Sequence, residues 1–231
     1  MIKLYCDTSN IKEIKSCLKK FNISGVTTNP SIMRSEGVKN YKLHCKNILQ
    51  VTKKKPLSVE VFADNDDEII LQALEISKWS NSIYVKVPVI NTEGKFLEKV
   101  IYELNTKGIK LNITAIFTSD QLFKIKKIIN KKTPIIVSLF CGRIADSGID
   151  PEPFVIKAKK IFKNHKNVKI LWASVREVFN FYQAKRSKSD IITVPPSLIK
   201  KIKSKKISLK DYSKKTVKQF FEDGKKSNFK L

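Results

Sequence analysis

The residues that could do chemistry begin with one lysine set in an apolar run. Ile83-Tyr84-Val85-Lys86-Val87-Pro88-Val89 is rich in β-branched and aromatic residues and closes on a proline, so it reads as a buried strand. Alternation puts Tyr84, Lys86 and Pro88 on one face and Val85 and Val87 on the other. Lysine is almost never fully buried without a partner. If both faces are covered, Lys86 must enter a cavity or meet an anion. Desolvation works against the ammonium form, and an amine that has lost its proton attacks carbonyl carbon and forms a Schiff base. The plainer alternative is an edge strand with Lys86 in water, guarding against aggregation.

The other polar residues at strand ends decide between these. Asp7 follows a first strand-like run, and Thr27 and Asn29 follow a second. Glu60 lies between Val59 and Val61, where a carboxylate needs a partner. Asn112 and Thr114 belong to a fifth run, Arg143 follows a sixth, and Ser174 and Arg176 follow a seventh. Singly, Asp7 or Asn29 could be helix caps, Thr27 and Thr114 ordinary strand formers, and Arg176 a surface residue. Together they supply a lysine, two carboxylates, two amides, hydroxyls and two arginines.

That set fits Schiff-base carbon–carbon chemistry. Lys86 would attack a ketone to give a carbinolamine and then an iminium, an electron sink that lets the adjacent bond break. Asp7 would take the proton of the β-hydroxyl. Glu60 with Thr114 would shuttle protons, through a water, for the dehydration. Asn29, Asn112 and Ser174 would hold hydroxyls of a three-carbon unit. Arg143 and Arg176 would clamp a terminal phosphate.

These residues need elements to hold them. Strand-like runs cover 2–6, 25–28, 57–62, 83–89, 110–117, 134–140, 168–173 and 191–194. Helical spacing follows the first run through Ile11, Ile14, Cys17 and Leu18, with Ser9 or Asn10 as N-cap. A helical turn opens at Asn29-Pro30-Ser31, and helices are predicted over 41–53, 66–79, 92–106, 119–130, 153–164, 177–185 and 197–201. Residues 141–148 read as a loop through Gly142 and Gly148, and 209–226 as one more amphipathic helix. Eight strands alternating with helices in 231 residues predict an α/β fold, a single-domain (β/α)8 TIM barrel with an additional C-terminal helix. An open doubly wound sheet is the rival, but Asp7-Thr8-Ser9-Asn10 is no glycine-rich dinucleotide turn. In a barrel, catalytic groups sit at the C-terminal strand ends, where these residues fall.

Composition narrows the partners. The formal charge is +25, which invites a nucleic-acid reading and would draw in small anions. The charge is nearly all lysine, however, spread over solvated helix faces such as Lys12, Lys15, Lys19 and Lys20, and arginine occurs only at 34, 143, 176 and 186. Specific nucleic-acid binding is therefore not expected. Cys6, Cys17, Cys45 and Cys141 show no CxxC spacing, and His44 and His165 are the only histidines, so neither a metal site nor a disulfide scaffold is expected. No run approaches the roughly 20 apolar residues of a membrane span, and residues 1–5 lack a signal-peptide layout, so the expected location is cytoplasmic.

The chain resembles the transaldolase family, in particular the short-chain branch that includes the fructose-6-phosphate aldolases. The resemblance rests on Leu4-Tyr5-Cys6-Asp7-Thr8-Ser9, Gly25-Val26-Thr27-Thr28-Asn29-Pro30-Ser31, Val85-Lys86-Val87-Pro88, Asn112-Ile113-Thr114, Gly142-Arg143-Ile144 and Ala173-Ser174-Val175-Arg176. It implies a class I aldolase barrel without cofactor or metal. It also implies Lys86 as the Schiff-base residue, Asp7 as acid/base, and Glu60 with Thr114 positioning a catalytic water. Glu60, Phe140 and Arg176 resemble the transaldolases, where the aldolase branch carries glutamine, tyrosine and lysine. A tyrosine hydroxyl at 140 would help protonate the enamine and release free dihydroxyacetone; Phe140 cannot, so the enamine should wait for an aldehyde. Cys141 and Trp172 depart from the pattern and are expected to alter the pocket wall.

The activity implied is transfer of a dihydroxyacetone unit from sedoheptulose 7-phosphate or fructose 6-phosphate to an aldose phosphate. In short-chain relatives the C-terminal helix packs on a neighbouring subunit, which implies a homo-oligomer, a pentamer or decamer. The alternatives are a fructose-6-phosphate aldolase, a basic nucleic-acid-binding protein and an inactive scaffolding barrel.

Overall fold

The structure is a computed structural model that describes residues 1–204, 207–227 and 229. Eight parallel strands form a closed barrel: β1 (Lys3–Asp7), β2 (Gly25–Thr27), β3 (Leu57–Glu60), β4 (Ile83–Pro88), β5 (Leu111–Ile116), β6 (Ile135–Leu139), β7 (Val168–Trp172) and β8 (Ile191–Val194). Pairing of β1 with β8 shuts it. The helices between them are α1 (Ile11–Phe21), α2 (Pro30–Ser35), α3 (Tyr41–Thr52), α4 (Asp66–Ser77), α5 (Glu98–Thr106), α6 (Ser119–Ile128), α7 (Cys141–Asp146), α8 (Glu152–Ile161) and α9 (Phe179–Arg186). Then α10 (Pro196–Lys203) and α11 (Leu209–Lys226) follow β8. The expected (β/α)8 barrel with its C-terminal helix is present, and no helix among the described residues is long and apolar enough to cross a membrane.

Alternation along each strand divides the apolar residues between two layers. Outward-facing Val26, Val59, Val85, Val87, Ile113 and Val137 pack under the helices in the large outer core. Each such side chain, taken from water, stabilises the fold by about 1.5–3 kcal/mol. Inside the barrel a smaller cluster of Tyr5, Ile136, Leu171, Ala173 and Ile191 fills the space, with Tyr84 and Phe140 against it. Above its lower members, toward the C-terminal ends, inward positions turn polar. There Thr27, Ser58, Lys86, Asn112, Ser138 and Thr193 are all buried.

Three local expectations are corrected. The segment 141–148 is not all loop: residues 141–146 form α7, one short helix that carries Arg143. The helix expected over 92–106 begins only at Glu98, because 90–97 form a turn instead. There the Asn91 side chain accepts from the Glu93 and Lys95 N–H groups, and Ile90 bridges to Phe96. The third strand stops at Glu60, because the backbone N–H groups of Phe62 and Ala63 donate to Gln72 Oε1 rather than to a neighbouring strand.

Candidate active site

Strand register brings the first group together. Lys86 on β4 stands opposite Glu60 on β3 and opposite Asn112 on β5. Lys86 is 7% exposed. Its Nζ lies 2.9 Å from Glu60 Oε2 and donates to the Thr28 carbonyl at 3.1 Å. Both outcomes open to a buried lysine are therefore met, since it enters a cavity and faces an anion; the edge-strand reading is excluded by closure of the barrel. Glu60 is held at the strand end by Tyr41, whose hydroxyl donates to the Glu60 carbonyl at 2.7 Å.

Asp7 ends β1 beside Thr27, its register partner on β2. Thr27 Oγ1 donates to Asp7 Oδ1 at 2.6 Å and lies 2.5 Å from Thr193 Oγ1 of β8. Burial raises the Asp7 carboxyl above the ordinary carboxylate range; the charge of Lys86 and the Thr27 hydroxyl offset part of that rise. A carboxylate so raised is a stronger base than a solvated one. Asp7 does not cap α1, a role filled by Asn10.

Asn112 is fixed from both sides. Its Nδ2 donates to Ser58 Oγ at 3.0 Å, and its Oδ1 accepts from Ser138 Oγ at 2.7 Å. Thr114, two residues on, is buried with its hydroxyl unpartnered among the described residues. Asn29 does cap a helix: its side-chain oxygen accepts from the Ile32 N–H at 2.9 Å at the start of α2. That occupies the carbonyl oxygen, and the side chain still lines the cavity through its remaining atoms.

The far wall comes from the ends of β6 and β7. Phe140 precedes α7, packs tilted against Phe117 with 5.6 Å between ring centres and 55° between ring planes, and carries the Arg143 guanidinium 5.3 Å above its ring. Ser174 has a left-handed backbone, φ +62°. Its carbonyl oxygen presses on Gly142 so closely that a Cβ there would lie 1.5 Å away. Only glycine allows that approach, which draws α7 against the end of β7. Arg176 reaches Asp146 of α7, with Nη2 at 2.7 Å and Nε at 3.1 Å from Oδ2.

Asp7, Thr27, Asn29, Lys86, Asn112, Thr114, Phe140, Arg143, Ser174 and Arg176 thus line one cavity of about 460 Å³ at the C-terminal mouth of the barrel. Such a volume suits a small-molecule ligand. Glu60 contacts Lys86 directly and is not among the residues that line the cavity. One expectation is corrected. Cys141 and Trp172 face the outer core, fully buried, and leave the pocket wall unaltered. Thr193, Ser138 and Ser58 were missed; their one signal was a hydroxyl at an inward position of a strand that otherwise reads as apolar. No cluster of metal-ligating residues is present among the described residues.

Chemically, the arrangement places one amine, one raised carboxyl and two guanidinium groups around a single space. The amine can add to a carbonyl, the carboxyl can move a proton, and the arginines can take an anionic group.

The sequence matches the model of the Transaldolase/Fructose-6-phosphate aldolase family over residues 4–231. It is 32% identical over 231 residues to a probable transaldolase of a Thermoanaerobacter species, covering 100% of each chain. A probable transaldolase of Dehalococcoides mccartyi is 32% identical over 195 residues, 84% of this chain and 87% of that one. Solved barrels share the fold alone. One is the orotidine 5'-monophosphate decarboxylase of Metallosphaera sedula, with TM-score 0.55, 12% identity, and coverage of 87% of this chain and 91% of that one. Another is the thiamine phosphate pyrophosphorylase of Pyrococcus furiosus, with TM-score 0.57, 11% identity, and coverage of 87% and 93%.

Proposed function

The chain belongs to the transaldolase/fructose-6-phosphate aldolase family, and from that premise we propose that it is a transaldolase. It moves a dihydroxyacetone unit from a ketose phosphate, sedoheptulose 7-phosphate or fructose 6-phosphate, to an aldose phosphate. The observation that carries the reading is Lys86 Nζ, buried in the barrel mouth 2.9 Å from the Glu60 carboxylate.

Lys86 Nζ gives a proton to Glu60 and adds to the ketose carbonyl carbon. The carbinolamine loses water and becomes an iminium. Asp7 takes the proton of the hydroxyl carried by the far carbon of the bond to be broken. That bond breaks, its electron pair flows into the iminium as an enamine, and the shorter aldose departs. The enamine carbon then attacks the acceptor aldehyde, whose new alkoxide takes its proton from Asp7. Water hydrolyses the iminium, frees the product and restores the amine. Asn29, Asn112 and Ser174 hold the hydroxyls of the three-carbon unit, and Arg143 with Arg176 take the phosphate. Arg176 must share itself between the phosphate and Asp146. Thr114, whose hydroxyl is unpartnered among the described residues, holds the water of the dehydration step.

The same reading includes a homo-oligomer. Helix α11 buries none of its residues, and its Val217, Phe220 and Phe221 are exposed. A second copy of the chain would cover them.

The test is reduction with borohydride in the presence of fructose 6-phosphate. A stable mass increase of one dihydroxyacetone unit is expected on the Lys86 peptide. Its absence, or its appearance on another lysine, overturns the mechanism. Assay with and without an aldose phosphate then separates transfer from simple aldol cleavage.

A further inference from the structure

The opposite pole of the barrel carries a second cavity, of about 760 Å³, at the N-terminal strand ends. Tyr5 and Tyr84, from β1 and β4, close its floor along with Ile136 and Ile191. Lys3, Lys169, Lys185, Lys188 and Lys203 stand around it. They come from β1, β7, α9, the α9–β8 loop and α10, so the charge converges from five places in the fold. None of these five ammonium groups has a carboxylate partner among the described residues. The one acid among the described residues of the wall, Asp190, is already engaged. It accepts two bonds from Lys159 Nζ, at 2.8 and 2.7 Å, and one from the Ile170 N–H at 2.8 Å.

The floor is largely apolar, and two phenol hydroxyls are its polar groups. Neither phenol hydroxyl has a hydrogen-bond partner among the described residues, although Tyr5 is 3% exposed. Both side chains line the open space of the cavity, so their hydroxyls are available to a ligand there. Burial pushes the pKa of both phenols up, and for Tyr5 the neighbouring Tyr84 adds to the rise, so both stay protonated donors at neutral pH. Unpaired cations over neutral O–H donors make a receptor for anions. The recess has a floor and the volume of a small-molecule site, which favours a compact ligand over a polymer lying across the surface.

We propose that this N-terminal cavity is a binding site for a small polyanion, a molecule with two or more phosphate or carboxylate groups, separate from the lysine-bearing cavity at the other end. Tyr5 and Tyr84 donate to its buried end, and the lysines neutralise the rest.

Inorganic pyrophosphate is the probe, measured by isothermal titration at physiological ionic strength, where charges beyond about 8 Å are screened. The background is the full chain with Arg143→Ala and Arg176→Ala, which removes the anion clamp at the other mouth. Saturable binding of one pyrophosphate per chain is expected, about tenfold or more tighter than orthophosphate, because separated lysines reward linked charges. Lys169→Glu with Lys188→Glu should weaken it about tenfold or more. Lys15→Glu with Lys46→Glu makes the same change in net charge on α1 and α3, away from the cavity, and should leave binding within about twofold. Tyr84→Phe, which changes no charge, should weaken binding several-fold. The proposal is overturned if binding does not saturate or if orthophosphate binds equally well. It is also overturned if the α1 and α3 reversals weaken binding as much as those in the cavity, or if Tyr84→Phe has no effect.

Discussion

Lys86 Nζ and Glu60 Oε2 lie 2.9 Å apart on adjacent strands, in direct register, with both side chains largely out of water. Each is the other's nearest opposite charge. Removing one partner of such a pair leaves the other buried and uncompensated, which costs more than the pair itself contributes. Glu60→Gln should therefore lower stability by about 1–3 kcal/mol, whereas Lys86→Met with Glu60→Gln should recover most of the loss. A double-mutant cycle by denaturant unfolding reads the coupling. Additive single effects would mean that the pair is not an energetic unit.

Asp7 predicts a pH dependence. Its folded-state pKa is raised by burial, so the folded chain holds that proton more tightly than the unfolded chain does. Below the ordinary carboxylate range, about pH 4, the acid is protonated in both states and its burial costs little. As pH rises through the raised value, the cost of the buried carboxylate appears in full. Asp7→Asn should accordingly match the parent's melting temperature near pH 4 and exceed it near pH 7. The same change should abolish transfer. A melting advantage that shrinks with rising pH would contradict the sign.

Phe140 tests the choice between transfer and release. Its ring already lies under Arg143 and against Phe117, so Phe140→Tyr keeps the packing and adds one hydroxyl. Free dihydroxyacetone formed from fructose 6-phosphate without an acceptor should increase. An unchanged rate would show that protonation of the enamine is not limited at this position.

Gly142 is a steric test. A Cβ there would meet the Ser174 carbonyl oxygen at 1.5 Å, and backbone cannot yield as a flexible side chain would. Gly142→Ala should cost about 3 kcal/mol or more, or separate α7 from β7. Soluble yield and thermal melting measure it; a variant as stable as the parent would show that the two segments part easily.

Helix α11 tests assembly. Phe220 and Phe221 are 68% and 62% exposed on a helix with no buried residue. Phe220→Asp with Phe221→Asp should reduce the mass seen by light scattering while leaving the barrel's circular dichroism unchanged. An unaltered mass would mean that other surfaces hold the subunits or that the chain is a monomer.

The barrel was legible because its strands are written in β-branched residues and its helices in a regular period. Lys86, Asp7 and Glu60 stood out because charge is costly in such strands. The start of α5 was not legible: Leu97 precedes it with no side-chain cap, while Thr92 looked like a helix start and serves instead to bond Asp64. Helix α7 was hidden by Gly142, which serves close packing rather than a turn. The tie between Arg176 and Asp146 joins positions 30 apart, and no local pattern announces it. Thr193, Ser138 and Ser58 were passed over because serine and threonine are unremarkable in strands, and only barrel closure reveals which way they point.

The hydroxyl of Thr27 touches Asp7 on one side and Thr193 on the other, so the support of that acid straddles the seam where the first strand meets the last. A growing chain has made Asp7 almost at once, yet cannot complete its surroundings until residue 193 has been synthesised and docked. Turnover should then be the last property to emerge in refolding, after helical signal and compactness, and its onset would serve as a clock for closing the ring.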